Sequence, residues 1–465
     1  MAQRDTKTLV AHLFRRAGFG LRPDELDHFT KLGVQGSVEY LLNYDSAPDP
    51  AEKRFPVVNI DYYNARLADL FAKLDNPQPN RAALIRELRT LEAGVRLALQ
   101  GWWVNRMLYT SRPLQEKMTL FWHGHFATAL QKVDPPQMLA QNLLFRSMAL
   151  GNFRTLLKAV TKDAAMLHWL DGDLSRKEHP NENFAREVME LFTLGVGHYT
   201  EHDVQEGARA LTGWKLELFT YKPIWVPQNH DDGTKTYLGH TGNFGPDDVM
   251  DILAAHHATG GFLVRKLYTF FASDDIDGAT IAPFIDTYYR SGYDIKAVVR
   301  EILLSDAFYS DRSFQQHFRS PAEFVVGSVR ELGASVSAEE MAKAMTIMGQ
   351  DLLNPPNVGG WPGGLTWASA NALAERFNFA GLLLARSGKN GFNPQQVLRQ
   401  SGAHTVAELV DFLVKRFLGP GITPANRAAL IGYVGGDAVL SSPLMDTRVR
   451  GLLQLVLAGP EYQLN

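Results

Sequence analysis

The chain contains no cysteine, which excludes disulfides, thiolate metal ligands and cysteine nucleophiles together. It also lacks any run of about 18 apolar residues, so no segment reads as a membrane-spanning helix. A basic excess is missing as well. The formal net charge is -3, whereas phosphate neutralisation needs a positive balance, so nucleic acid is not an expected partner. The opening residues, Met1 to Lys7, have no apolar stretch of the signal-peptide kind. As written the chain is expected in the cytoplasm, or outside the cell if a leader has been removed. No phosphate-binding G-x-x-x-x-G-K-[ST] loop, nucleophile elbow, kinase set or β-lactamase motif pair occurs, and there are neither obvious repeats nor low-complexity segments.

What is present reads as helix. A length of 465 residues with 45% hydrophobic content is enough to bury a large core in an ordinary water-soluble protein. Helical patterns recur from residue 6 to residue 457, among them 80–110, 113–129, 183–195, 201–211 and 260–271. Start signals accompany several. Ser337 with Glu340 and Thr405 with Glu408 match the capping box, Thr200 with Asp203 approximates it, and Thr423-Pro424 places proline at a first helical position. Only 214–240 has strand character: Trp214 to Phe219 and Ile224 to Val226 are aromatic and branched, and Asp232-Gly233 reads as a hairpin turn before Thr234 to Leu238. The expected fold is mainly α, a multi-helix body with a small β-hairpin excursion near 214–240. One unit over 1–465 is expected, with subdivisions at 1–78, 79–386 and 387–465 marked by Asn76 to Pro79 and by Ser387 to Pro394.

The richest segment is Pro180 to Gly195, with three carboxylates, two carboxamides and a guanidinium. At about 100° per residue, Phe184, Val188, Met189, Leu191 and Phe192 share one face, and Asn183, Arg186, Glu187, Glu190 and Thr193 share the other. Arg186 and Glu190 stand at i,i+4. Such a face is either a solvated surface or a working one. His123 and His125 sit two residues apart on the 113–129 pattern. A regular helix points them about 200° from each other, so they share a metal only if Gly124 breaks the helix. Otherwise His125 belongs to the core, bonded to a carbonyl, and His123 makes a separate polar contact.

Three loops carry further candidates. His230, Asp231 and Lys235 gather an imidazole, a carboxylate and an ammonium around the Asp232-Gly233 turn. Asp171 and Asp173, with Asn181 and Glu182, offer hard oxygen donors suited to Ca²⁺ or Mg²⁺, although not at EF-hand spacing. Asn354 to Trp367 is stiff at its prolines and bare at its glycines. Its Trp361 and Trp367 provide flat faces for a sugar or plugs for the core.

Several stretches resemble a large bacterial family, domain-of-unknown-function family eighteen hundred. They are HLFRRAGFG near the start, FWHGHF at 121–126, NENFAREVMELFTLGVGHYTEHDVQEGARALTGW from Asn181, HDDGTKTYLGHTG at 230–242 and NPPNVGGWPGGLTW at 354–367. The resemblance spans nearly the whole chain. It implies a protein of a kind often exported and encoded beside a sulfatase-like family, hence a sulfatase-like functional partner, but it brings no reaction.

From the residues, the first expectation is a hydrolase using carboxylate and histidine acid–base chemistry on a small molecule or glycan, with or without a divalent cation. Glu187, Glu190, His123, His125, His230 and Asp231 are its candidate catalytic groups, and Arg186 is its anion anchor. Asn181, Asn183, Lys235, Trp361 and Trp367 are candidate substrate contacts, and Asp171, Asp173 and Glu182 candidate metal ligands. Paired carboxylates with aromatic platforms favour a carbohydrate. The alternative is a non-catalytic binding or assembly protein of the cell envelope, whose polar cluster fixes helix packing. A third reading, a helical metal-dependent oxidoreductase, lacks its Glu-x-x-His motifs.

Overall fold

Capped amphipathic helices account for most of the chain. The computed structural model describes residues 4–46, 48–74, 80–217, 220–386, 391–419, 422–436, 440 and 444–465, and among them are 22 α-helices and two small antiparallel strand pairs. The mainly α expectation therefore holds. No helix among the described residues is long and apolar enough to cross a membrane. The capping boxes at Ser337, Thr405 and Thr200 all form, the last with Asp203 receiving the Thr200 backbone N–H. Thr423 caps the Pro424–Val434 helix. The expected breaks near Asn76 to Pro79 and Ser387 to Pro394 fall largely on residues 75–79 and 387–390, which lie outside the described residues.

The β excursion spans Trp214 to Gly242. Trp214–Leu216 pairs with Pro223–Trp225, with Trp214 opposite Trp225 and their rings 5.3 Å apart. Lys235–Tyr237 pairs with His240–Gly242. The tight turn of this second hairpin is Leu238-Gly239, both at positive φ, and not Asp232-Gly233. The Asp231 carboxylate accepts the Gly233 N–H and two bonds from Arg209, which fixes Asp232-Gly233 as a loop before the strand. Two short helices, Pro50–Arg54 and Ala164–Trp169, escaped the periodicity because they span under two turns.

Two apolar cores form. One gathers Leu13, Phe14, Trp122, Val188, Met189 and Leu263 with their neighbours; the other gathers Trp103, Leu120, Val325, Leu409, Leu413 and Leu452 with theirs. The Pro113–His125 helix lies between them and contributes to both. Every residue of it except Gly124 is buried. It nonetheless carries Glu116, Lys117, His123 and His125, and each of these needs partners inside the protein.

Glu116 has them in full. Arg146 grips its carboxylate with two bonds of 2.9 Å, Arg106 adds one at 3.2 Å and the Trp103 indole one at 3.1 Å. Burial works to raise this carboxyl, yet the two guanidiniums hold it below the usual range. Glu116→Gln removes the anion, strands the buried Arg146 and leaves Arg106 only the more distant Asp49 and Glu52, at 3.3 and 3.5 Å. Urea denaturation should record a loss of about 3–5 kcal/mol.

Candidate functional site

The site begins where a helix stops. The 183–195 pattern predicts helix to Gly195, but the Glu182–Glu190 helix ends four residues after Arg186. Gly195 has φ +80°, and the Leu194 and Gly195 N–H groups both turn back to the Met189 carbonyl. Thr193, expected on the polar face, is instead fully buried and donates to the Val188 carbonyl. The early stop releases the Leu191 and Phe192 carbonyls from helical bonding. His125 Nε2 meets the Phe192 oxygen at 3.0 Å, and Lys266 Nζ meets the Leu191 oxygen at 3.1 Å.

A carbonyl only accepts, so Nε2 of His125 carries the proton and Nδ1 presents a lone pair. Lys266 Nζ lies 3.4 Å from that lone pair. Two positions on the ammonium are thereby used and the third is open. No carboxylate pairs with Lys266 among the described residues. Burial alone pulls its pKa down to about 8, and burial with the nearby Lys266 charge holds His125 neutral. Lys266, on the His257–Phe271 helix, was not among the sequence candidates. Its one signal was the Arg265-Lys266 pair on an otherwise largely apolar helical pattern, which reads equally as a solvated face.

His125 and Lys266 line a cavity of about 550 Å³, walled by Phe121, Phe270, Trp361 and Trp367 and reached also by Arg265 and Asp274. It opens between the two cores: Phe121 belongs to the first and Leu120 to the second. The glycine-rich loop closes one side. Gly360, at φ +87°, rests on the backbone of Gly124, so a Cβ there would collide with the Gly124 carbonyl. Glycine is required at 360 both for the backbone angle and for this contact.

His123 points elsewhere. Gly124 does not break the helix, which runs to His125, and the two rings do not converge on a metal. Arg146 donates to the Asn142 side-chain oxygen, which turns the Asn142 NH₂ toward His123 Nε2 at 3.0 Å. Burial and the Arg146 charge lower His123 to about 3. It is a neutral core residue over the Trp103 ring.

The remaining candidates do not reach the cavity. Arg186 pairs with Glu201 and not with Glu190, which instead accepts from the Tyr199 hydroxyl at 2.5 Å. Glu187 is raised by burial and by Glu190. Asn181 caps its helix at Phe184 and donates to the Leu170 and Asp171 carbonyls, while Asn183 and Glu182 are exposed. Asp171 pairs with Lys132 at 2.7 Å. Burial raises Asp173. His230 Nδ1 is held by the Thr212 carbonyl at 2.9 Å, Asp231 by Arg209, and Lys235 by the Asp231 and Gly233 carbonyls. No set of three or more His, Asp or Glu among the described residues is arranged to hold a metal ion.

A family model described as "Protein of unknown function (DUF1800)" matches residues 12–464. The chain belongs to that family. No curated protein and no solved structure matches it. Two of its motif stretches line the cavity and a third holds the lining residues His125 and Lys266. FWHGHF supplies His125, the segment from Asn181 supplies the Leu191 and Phe192 carbonyls, and the tryptophan loop supplies Trp361 and Trp367. HLFRRAGFG adds Arg16 behind it, bonded to the Phe271 and Ala272 carbonyls.

Two variants separate these roles. Gly360→Ala forces both strain and a backbone collision, and chemical denaturation should show a loss of at least about 2 kcal/mol. Glu187→Gln removes a carboxylate that burial and Glu190 disfavour more than Arg186 favours it, so its melting temperature should be unchanged or slightly raised.

Proposed function

We propose that the chain is a small-molecule hydrolase whose working site is the cavity at His125 and Lys266. The observation that carries this reading is the Lys266 ammonium, held by one carbonyl and one imidazole lone pair, without a carboxylate, at the wall of an aromatic-lined cavity. A protein gains no stability from an uncompensated ammonium in such a place. Perturbed groups of this kind, set beside a pocket, are characteristic of catalytic centres.

In the proposed chemistry the neutral Lys266 amine takes the proton from a water that attacks the substrate, and returns it to the leaving group. His125 is a positioning residue. Its Nε2–H bond to the Phe192 carbonyl fixes the tautomer, and Nδ1 then orients the amine. Trp361 and Trp367 are the proposed platforms for a flat or sugar-like substrate face. The volume of about 550 Å³ suits a small ligand.

Purified protein assayed against chromogenic glycosides and esters tests the reading. Turnover should rise with pH along a limb near 8, and Lys266→Met should lower it at least about a hundredfold. A folded Lys266→Met variant with full turnover would refute it. So would a wild type inert toward every member of the panel.

Stability gives an independent check. The folded-state pKa of Lys266 lies below its unfolded value, so the partly buried charge is a penalty present in full below about pH 8. Between there and about 10.4 the unfolded chain binds more protons, and stability rises with pH. Lys266→Met should therefore melt roughly 2–4 °C above the wild type at pH 7, and the difference should vanish by about pH 10.5.

A further inference from the structure

Behind the lining residues Glu323, His317 and Phe270 lie four buried cations: Arg16, Lys117, Arg319 and Arg376. Among the described residues, Glu323 is the one carboxylate in ion-pair range of any of them. It is already committed to Lys117 and the Ser320 backbone N–H, with His317 at 3.7 Å. The three guanidiniums are met by neutral acceptors. Arg16 donates to the Phe271 and Ala272 carbonyls at 2.7 Å, Arg319 to the Leu464 carbonyl, and Arg376 to the Arg319 carbonyl and the Gln463 side chain.

Carbonyl dipoles satisfy hydrogens without cancelling charge. Burial accordingly pulls Arg16 down to about 10 and Arg376 to about 9. Burial alone would raise the Glu323 carboxyl, but Lys117, His317 and Arg16 hold it well below the usual range. In a low-dielectric interior the surplus projects through the wall into the cavity. Two more cations stand at the cavity itself, Lys266 and Arg265, and Arg265 has no hydrogen-bonding or ionic partner among the described residues. Asp274, exposed, is the one lining carboxylate besides Glu323. Trp361 Nε1 and His317 Nδ1, on residues that line the cavity, are buried donor-capable atoms with no partner among the described residues.

We propose that the cavity takes a small molecule bearing an oxyanion group, a carboxylate, sulfate or phosphate, with the anion on Arg265, the Lys266 amine left to the water, and a flat apolar or sugar face against Trp361 and Trp367. The inference rests on the reading of this cavity as the working site and names the class of its ligand. A guanidinium without a partner of its own suits an oxyanion because several N–H donors converge on several acceptor oxygens.

The test uses the full chain in thermal-shift titrations at pH 7 and constant ionic strength. The probes are sodium phosphate, sodium sulfate, glucuronate, glucose 6-sulfate and glucose 6-phosphate, with sodium chloride and glucose as controls. At least one oxyanion should raise the melting temperature saturably while chloride and glucose do not, and the responding probe identifies the oxyanion. Arg265→Gln should weaken that probe about tenfold or more and leave the ligand-free melting temperature in place, because the exposed Arg265 side chain holds nothing in the fold. No saturable shift with any probe, or an unchanged midpoint in Arg265→Gln, would overturn the proposal. Anion binding without turnover would uphold the ligand class and refute the hydrolase. Turnover of neutral substrates alone, with no anion bound, would do the reverse.

Discussion

One imidazole holds the centre of this molecule in register. His125 ends a helix buried on every side, and its Nε2–H reaches the Phe192 carbonyl just beyond the end of a second helix. That bond leaves only one role for the other ring nitrogen, as acceptor toward Lys266 on a third helix. The geometry depends on two glycines. Gly195 lets the Glu182–Glu190 segment stop early and free its carbonyls, and Gly360 lets the tryptophan loop rest on Gly124 beside the histidine. A longer helix at the first place, or a side chain at the second, would displace the partners of His125 without touching the ring itself.

Buried charge in this protein falls into two kinds, and the difference separates scaffold from site. Glu116 and Asp49 face Arg106 and Arg146 in charge-matched contact, and the half-buried Asp231 and Arg209 do the same. Such networks fix the packing of helices and the β excursion. Around the cavity the balance fails. Lys266 has no carboxylate, and Arg16, Arg319 and Arg376 rest on carbonyls. Charge buried without its counter-ion costs stability, and a ligand of opposite charge would relieve that cost.

Much of the fold could be read from the chain, because caps and helical periodicity are local. Ser337, Thr405 and Thr200 announced their helices, and the aromatic and branched residues at 214–226 announced strands. The i,i+2 spacing of His123 and His125 correctly implied divergent rings. The Pro180 to Gly195 segment misled in its details. Arg186 found Glu201, fifteen positions on, in place of Glu190, and the helix stopped before its pattern did. Tertiary bonds decided both. Lys266 stayed hidden for the same reason: its missing counter-ion is a property of the space around it, and no local pattern records that. Trp361, Trp367 and His125 were legible as candidates, and they meet at the cavity. The polar residues of HDDGTK, equally prominent in the sequence, are taken up by their own neighbourhood.

The most direct measurement is the titration of the Lys266 amine itself, by NMR of the reductively ¹³C-methylated protein with Lys266→Met used to assign the signal. The account predicts a midpoint near 8, set apart from the other lysines. A midpoint at the ordinary lysine value of about 10.4 would mean that the ammonium is solvated or paired, and would contradict the claim that this cavity holds an uncompensated, reactive amine.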